Sequence, residues 1–370
     1  MKQLNSMIPG IMLLCMFLVN STANSQLLDL PRASQMASVS QRIGITDVGV
    51  TYSRPNVAER PVWGQLVPYG MNNLGFGSAK EAPWRAGANE NTVISFSDAV
   101  SIEGRPLDAG SYGLHMVIHE DDRATVIFSR NHTAWGSFFY DPSEDALRVE
   151  VGTDEIPHTE QLTYLFTDVD QNSATVSLNW EKKQIPFKIS ADVTQLVLED
   201  IREKLQNSPG FNRQSWEQAA NFSLNNGGDL DEALSWINKA IEGQFFSQKT
   251  FNNLQVKAQI LDKLGRAEEG AALMKESLEI GTVFEIHQYG RQLIAQGQPK
   301  EALEVFKRNY RTYKNTWPVD YGLARGYSAT GDYKKAIKHL KIAAGRAPDQ
   351  LNKDAVTANI QKLEKGEDIN

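Results

Sequence analysis

The spacing of hydrophobic residues changes near residue 190 and divides the chain into two parts. Between about Ala37 and Ser190, apolar and polar residues alternate in short runs that are rich in β-branched and aromatic side chains. Alternation with a period of two is typical of strands with one buried face. It predicts strands at Asp47–Tyr52, Thr92–Phe96, Ser111–His119, Ala124–Ser129, Leu147–Val151, Leu162–Thr167, Ala174–Trp180 and Ile185–Ile189.

Turn-forming residues separate these runs, among them Glu103-Gly104 and Asp141-Pro142. Eight to ten short strands joined by close turns favour an antiparallel β-sandwich, although a barrel would show the same pattern. The stretch Leu107–Tyr112 has the form of a tyrosine corner, in which a tyrosine hydroxyl bonds back to the main chain at the start of a strand. We expect this tyrosine to be structural.

After Ser190 the apolar residues recur with helical spacing. Asp192 can cap a helix that runs to about Gln206, and the sequence Asn-Ser-Pro-Gly at 207–210 ends it. Four later segments align on a glycine at a predicted helix–helix turn, with spacings of 37, 32 and 34 residues; they begin at Gly228, Gly265, Gly297 and Gly331. Trp236, Phe306 and Leu340 are predicted to fill the helix seams, and a closing helix is predicted at Asp349–Leu363.

This repeated unit of about 34 residues resembles the tetratricopeptide repeat. The resemblance covers about 150 residues and implies an all-α helical solenoid over residues 211–370. It also implies a concave surface that binds a protein or peptide partner. Together with the first half, it gives the expected fold class: an antiparallel β-sandwich followed by tetratricopeptide-like helical repeats.

The first half resembles a specific family as well. Its matching segments run in order along about 150 residues; they are Val50–Pro55, Arg60–Gly70, Trp84–Glu90, Ala109–Tyr112, Trp135–Asp141 and Leu147–Val149. These segments are similar to the domain of unknown function 2911 family, which implies an exported bacterial protein and brings no activity with it. An insertion at Met71–Pro83 departs from the family pattern.

The amino-terminal residues have the pattern of a secretory signal peptide. Lys2 is followed by an apolar run of 12 residues, Ile8–Val19, which is too short to cross a bilayer, and we expect cleavage near Ser25. A retained anchor is the alternative. The single cysteine, Cys15, follows Leu14 rather than a small residue, so lipidation is disfavoured. The mature chain would then lack cysteine and reside in the periplasm or outside the cell.

These features divide the chain into a signal peptide (1–25), a β-sandwich domain (26–190), a helical linker (191–210) and helical repeats (211–370). The chain carries 38 Lys and Arg against 45 Asp and Glu, a net charge of −7. This acidic balance argues against nucleic acid as a partner. No segment after the signal region is long and apolar enough to predict a transmembrane helix.

Catalytic motifs are mostly missing from the sequence. It contains no GxSxG, GxxxxGK[ST], HExxH or CxxC pattern, and no cofactor or metal is expected. Gly75–Lys80 resembles a phosphate-binding loop only faintly, and Asp168–Asn172 is better explained as a hairpin turn than as a calcium loop. His115 and His119 lie four residues apart on one strand, about 13 Å at ~3.3 Å per residue, so they cannot share one metal directly. We expect them to be hydrogen-bonded or exposed.

One set of residues could bind a ligand because arginine, tryptophan and tyrosine can recognise anions, sugars or cations. Its members are Arg54, Arg60, Trp63, Trp84, Arg85, Asn89, Glu90, Trp135 and Tyr140. The competing interpretation is structural: an Arg85–Glu90 or Arg54–Glu90 ion pair, with the tryptophans in the core. Function therefore divides between a binding protein, an enzyme with its site in the sandwich, and a purely structural envelope component.

Overall fold

The computed structural model describes residues 31–370. The predicted signal peptide, its cleavage site and Cys15 lie outside these described residues. The first part of the described chain contains ten strands: β1 (Gln35–Ile43), β2 (Thr46–Arg54), β3 (Thr92–Phe96), β4 (Val100–Ile102), β5 (Arg105–Leu107), β6 (Gly110–Ile118), β7 (Arg123–Ser129), β8 (Asp145–Gly152), β9 (Asp154–Thr167) and β10 (Ser173–Ser190).

The strands form two antiparallel sheets, one ordered β1-β2-β3-β6-β7-β8 and the other β5-β4-β10-β9. Alternate residues of both sheets meet in one apolar core, where the rings of Phe128 and Phe187 lie 5.8 Å apart. The arrangement confirms the predicted antiparallel β fold. The tyrosine corner is also confirmed, because the Tyr112 hydroxyl donates to the Asp108 carbonyl oxygen at 2.9 Å.

Two strand predictions need correction. Ala174–Trp180 and Ile185–Ile189 are not separate strands but parts of β10, which is interrupted only by a bulge around Glu181, a residue with φ of +55°. The extra residues of a bulge bend a strand without ending it. The segment Asp168–Asn172 is a hairpin turn as expected: Asp170 Oδ1 accepts hydrogen bonds from the main-chain N–H groups of Asn172 and Ser173.

Ten helices follow the sheets: α1 (Val193–Lys204), α2 (Arg213–Asn226), α3 (Leu230–Ile241), α4 (Phe251–Lys263), α5 (Ala267–Ile280), α6 (Val283–Ala295), α7 (Pro299–Thr312), α8 (Trp317–Ala329), α9 (Tyr333–Arg346) and α10 (Gln350–Glu364). Helices α2–α9 form four antiparallel pairs, and α10 closes the array as predicted. The repeats are therefore confirmed. Within residues 31–370, no helix has both the length and the apolar character of a membrane span.

The first helix connects the two parts of the chain through apolar contacts. Asp192 caps α1 by accepting a hydrogen bond from the Gln195 main-chain N–H at 3.1 Å. Leu196 and Val197 pack against the sandwich core, whereas Leu198 is buried in the core of the first helical repeats. The segment predicted as a linker is thus a packed element that belongs to both cores.

A phenylalanine on α7 is buried in a socket of glycines. A Cβ atom on Gly290 of α6 would lie 2.6 Å from the Phe306 ring, and one on Gly322 of α8 would lie 2.7 Å from it. Real Cβ atoms do not approach this closely, so the three helices can pack around the ring only because these positions lack side chains. Phe306 is fully buried as a result.

We expect Gly290→Ala to lower the free energy of unfolding by about 1–3 kcal/mol, because overpacking forces the Phe306 ring or its helix to shift. Gly345→Ala is the matched control: Gly345 lies in α9, and no atom lies within 4 Å of the place that an alanine methyl group would take there. At this position the change should stabilise by ~0.4–1 kcal/mol, since alanine restricts the unfolded chain. Urea denaturation followed by circular dichroism would measure both, and equal effects would argue against the socket.

Candidate functional site

Two of the predicted ligand-binding tryptophans are packing residues. Trp63 and Trp84 lie edge to face with ring centroids 5.9 Å apart, and Trp84 stacks on the buried Trp180 at the same distance with an interplanar angle of 17°. The Trp84 indole N–H donates to the Gly87 carbonyl oxygen at 3.1 Å. Because both rings extend the sandwich core, they offer no open pair of faces for a sugar.

The guanidinium groups of Arg54 and Arg60 donate hydrogen bonds to groups within the sandwich, most of them main-chain carbonyl oxygens. Arg54 donates to the Leu162 carbonyl oxygen at 3.0 Å and to Thr163 Oγ1 at 2.7 Å, which ties β2 to β9. Arg60 donates to the Val57 carbonyl oxygen at 3.0 Å and to that of Asn56 at 2.5 Å. Arginine satisfied in this way stabilises loop geometry, and these donors are already engaged.

The expected Arg85–Glu90 and Arg54–Glu90 ion pairs are wrong. Glu90 pairs instead with Arg32, a residue that precedes β1. Arg85 donates to the Asn89 carbonyl oxygen at 2.6 Å and lies over the Phe138 ring, 5.0 Å from its centroid. The partner of Glu90 differs from the expected ones because the segment before β1 lies beside the loop that carries Glu90.

Arg32 also brings Trp135 into this group. Its guanidinium lies 5.6 Å from the centre of the Trp135 ring, which is 49% exposed. The Asn89 side chain donates to the Ser34 carbonyl oxygen at 2.9 Å. Four predicted site residues are therefore close neighbours: Arg85, Asn89, Glu90 and Trp135. The other five do not join this group: Arg54, Arg60, Trp63, Trp84 and Tyr140.

A small cleft of about 320 Å³ opens beside Glu90. Its lining includes Arg32, Gln35 and Met36, and among the described residues it contains no histidine and no second carboxylate. The cleft therefore offers one carboxylate, one guanidinium and neutral polar groups to a ligand.

Tyr140 belongs to a separate cluster. Its hydroxyl donates to Asp145 Oδ2 at 2.7 Å and accepts from Arg148 Nη2 at 2.6 Å. Burial, and next the hydrogen bond to the Asp145 carboxylate, raise the pKa of the Tyr140 phenol. The hydroxyl remains protonated at neutral pH, and its hydrogen bonds to Asp145 and Arg148 hold the start of β8.

The two histidines are hydrogen-bonded, as predicted. His115 is buried with Nδ1 3.0 Å from Ser137 Oγ, and His119 Nε2 lies 2.9 Å from Thr125 Oγ1. Burial, helped by the positive charge of Arg85, lowers the pKa of His115 to about 4. The imidazole is thus neutral at neutral pH. No group of three metal-ligating side chains occurs within residues 31–370.

The insertion Met71–Pro83 covers the outer face of the larger sheet. Met71, Leu74 and Ala79 pack near Val117 and Ile127, and the loop bonds to the Trp135–Asp141 region through the Ala79 N–H and the Phe138 carbonyl oxygen at 3.1 Å. The faint phosphate-loop pattern at Gly75–Lys80 lies in this loop and is not followed by a helix. It has packing contacts rather than the geometry of a phosphate site.

A larger cleft than the one beside Glu90 lies in the helical repeats, where the sequence pattern had singled out no ligand-binding residue. It has a volume of about 650 Å³ and opens between α4, α6 and α8. Phe251, Phe284 and Tyr289 supply its apolar surface, and Arg291 and Arg325 its positive charge. A second cleft of about 580 Å³ continues from it toward α2.

Side-chain amides line both clefts. They recur at spacings of three or four residues on the first helix of the first three pairs: Gln214, Gln218 and Asn221 on α2, Asn252, Gln255 and Gln259 on α4, and Gln288 and Gln292 on α6. We call these residues the amide row. Gln255 donates to Gln292 across the α4–α6 boundary at 2.8 Å, so the row is continuous between these two helices. This spacing is visible in the sequence.

The α6–α8 end of the cleft carries two arginines, Arg291 and Arg325, against one carboxylate, Glu285. Burial lowers the pKa of His287 to about 4, and the nearby charges of Arg325 and Arg291 contribute to this shift. Arg325 also lies over the Tyr321 ring, 4.9 Å from its centroid. Two arginines beside a neutral histidine favour a ligand with negative charge.

Comparison with known proteins gives a separate match for each half of the chain. Residues 34–189 match the model of a protein family of unknown function, DUF2911, as the sequence resemblance predicted. No curated protein matches the chain. The helical half is similar to solved tetratricopeptide repeat proteins.

Three of these structures illustrate the similarity. The C-terminal part of a TPR repeat-containing protein from Cytophaga hutchinsonii is 16% identical, with 47% of this chain and 66% of that chain covered and a TM-score of 0.32. YrrB, described as a TPR protein with an unusual peptide-binding site, is 17% identical, with coverages of 45% and 84% and a TM-score of 0.28. A tetratricopeptide repeat protein from Parabacteroides merdae is 17% identical, with coverages of 47% and 74% and a TM-score of 0.29.

Proposed function

We propose that this chain is an exported binding protein whose helical repeats hold an extended segment of a partner protein. The observation that carries the proposal is the amide row along the clefts of α2, α4 and α6. A side-chain amide both donates and accepts hydrogen bonds, so a row of amides can pair with the alternating N–H and C=O groups of an extended peptide. The aromatic residues Phe284 and Tyr289 would contact its side chains.

The remaining parts of the proposal concern location and the sandwich. The positive start, the apolar run Ile8–Val19 and the small residues before Ser25 support export to the periplasm or the cell exterior. In the sandwich, the neighbouring Arg85, Asn89, Glu90 and Trp135 support weak binding of a glycan or an anionic group at the exposed Trp135 ring. The helical cleft is the principal site because it is about twice as large as the cleft beside Glu90.

Selection of a random 12-residue peptide library displayed on phage against the full chain tests the principal site. We expect enriched peptides to lose about tenfold in affinity for the Gln255→Ala/Gln292→Ala variant, since two hydrogen bonds of ~0.5–1.5 kcal/mol each would be removed. Replacing both residues avoids leaving one amide without its partner. Isothermal titration calorimetry would give the dissociation constants.

Gln296→Ala/Gln298→Ala is the matched control, because both amides are exposed and lie outside the clefts at the α6–α7 turn. It should leave the affinity unchanged. If the control and the cleft variant bind the selected peptides equally well, the amide row does not hold the peptide. Failure of the library to yield any binder would likewise count against the proposed function.

A further inference from the structure

The segment Gly366–Asn370 returns from α10 to the surface of α8. The chain reverses at Gly366, which has φ of +81°, and the Glu367 N–H donates to the Lys362 carbonyl oxygen at 3.0 Å. Its last residue, Asn370, reaches the edge of the 650 Å³ cleft beside Arg325. We call Gly366–Asn370 the returning segment; it occupies the end of the proposed peptide site.

Two residues of α8 bind the returning segment through its backbone and its acidic side chain. Ser328 Oγ donates to Asp368 Oδ1 at 2.5 Å and accepts from the Ile369 main-chain N–H at 3.2 Å. Arg325 Nη1 lies within reach of the Ile369 carbonyl oxygen at 3.4 Å. Hydrogen bonds to main-chain N–H and C=O groups of one residue are the contacts that recognise an extended peptide.

An apolar pocket receives the side chain between these contacts. Ile369 is only 7% exposed and belongs to a core cluster with Ala324, Val356 and Leu363. We call this the α8–α10 pocket. It takes a branched aliphatic side chain whose preceding residue is acidic, and it lies beside the positive end of the cleft.

Charge complementarity agrees with this arrangement. The returning segment carries the Asp368 carboxylate, and its Ile369 carbonyl oxygen lies 3.4 Å from Nη1 of Arg325, whose charge contributes to the lowered pKa of His287. An acidic peptide is attracted to such a surface, and an aliphatic side chain fixes its register by burial. The segment therefore has the properties expected of a ligand for this end of the cleft.

We propose that the α8–α10 pocket is a subsite for a peptide with an acidic residue followed by a branched aliphatic residue, and that Asp368-Ile369 fills it in cis. The proposal rests on the proposed peptide-binding function and specifies its ligand. A partner segment of the same chemistry enters the pocket by displacing the returning segment. The attached segment competes at a high effective concentration, so it sets a threshold on the affinity that a partner must have.

A labelled peptide with the sequence of residues 365–370, acetylated and amidated, is the probe for this subsite. We expect it to bind the full-length Asp368→Ala/Ile369→Ala variant, whose own segment is released, at least about tenfold more tightly than the unaltered chain. Adding Ser328→Ala to the variant should abolish binding. Glu367→Ala is the matched control, because Glu367 is exposed, and it should behave as the unaltered chain. Fluorescence anisotropy measures all four proteins.

Equal affinity of the probe for the Asp368→Ala/Ile369→Ala variant and for the unaltered chain would overturn the proposal. So would a failure of the variant to bind the probe while its circular dichroism spectrum and melting temperature stay unchanged. If loss of Ile369 unfolds α10, Asp368→Asn keeps the apolar contact and should still raise probe affinity. The probe contacts α8 and α10, so its binding should not change in the Gln255→Ala/Gln292→Ala variant. Failure of the subsite is thereby distinguished from failure of the amide row.

Discussion

Replacing Trp84 by alanine should lower the free energy of unfolding of the sandwich by about 3 kcal/mol, at the lower end of the range for tryptophan truncation. The Trp84 ring stacks on Trp180 and meets Trp63 edge to face, so its removal leaves a cavity beside two other large rings. The Gly87 carbonyl oxygen also loses its donor. Urea denaturation followed by far-ultraviolet circular dichroism would measure the change in the full chain.

Trp135→Ala provides the comparison for this experiment. The Trp135 ring is about half exposed and packs against the Arg32 guanidinium, so we expect its removal to change stability by no more than ~0.5 kcal/mol. Similar unfolding midpoints for the two variants would show that Trp84 is not a core residue. The ligand-binding interpretation of Trp84 would then return.

Asp320→Ala should destabilise the last helix pair by about 3–5 kcal/mol, because it removes one member of a buried ionic group. The Asp320 side chain is fully buried in α8, with Oδ2 2.6 Å from Arg346 Nη1 and Oδ1 3.1 Å from His339 Nδ1. Its loss leaves the partly buried Arg346 guanidinium without its carboxylate. Hydrogen exchange read by mass spectrometry would assign the effect to α8 and α9.

Glu304→Ala removes a carboxylate from an exposed ion pair with Lys307 on the surface of α7. Exposed pairs contribute little to stability, so this control should change the free energy of unfolding by less than ~1 kcal/mol. A loss for Asp320→Ala as small as that of the control would contradict the assigned role of the buried carboxylate.

The strands, helices and turns of the fold could be predicted from the sequence, whereas the hydrogen-bond and ion-pair partners of the site residues could not. Strand alternation and the recurring glycine turns depend on near neighbours in the chain, and they predicted the antiparallel sheets and the helical repeats correctly apart from the division of β10. The ion pair of Glu90 with Arg32 joins residues 58 positions apart, and Arg32 lies outside the predicted strands. Nothing local indicated that it, rather than Arg85, would approach Glu90.

The remaining errors have equally specific causes. A run of residues that breaks its alternation, as near Glu181, can be either a turn or a bulge, and only pairing with β9 decides between them. The amide row was present in the sequence at helical spacing. Which face of each helix remains open becomes evident only when the pairs are assembled, so the cleft could not be located from one helix at a time.

The shared helix α1 has a mechanical consequence. Because Leu196 and Val197 pack on the sandwich while Leu198 is buried among the repeats, a force that pulls the two parts of the chain apart must break apolar contacts of α1. A fragment that stops at Ser190 would cut this connection and uncover apolar surface on both sides, so the sandwich is better isolated with α1 attached.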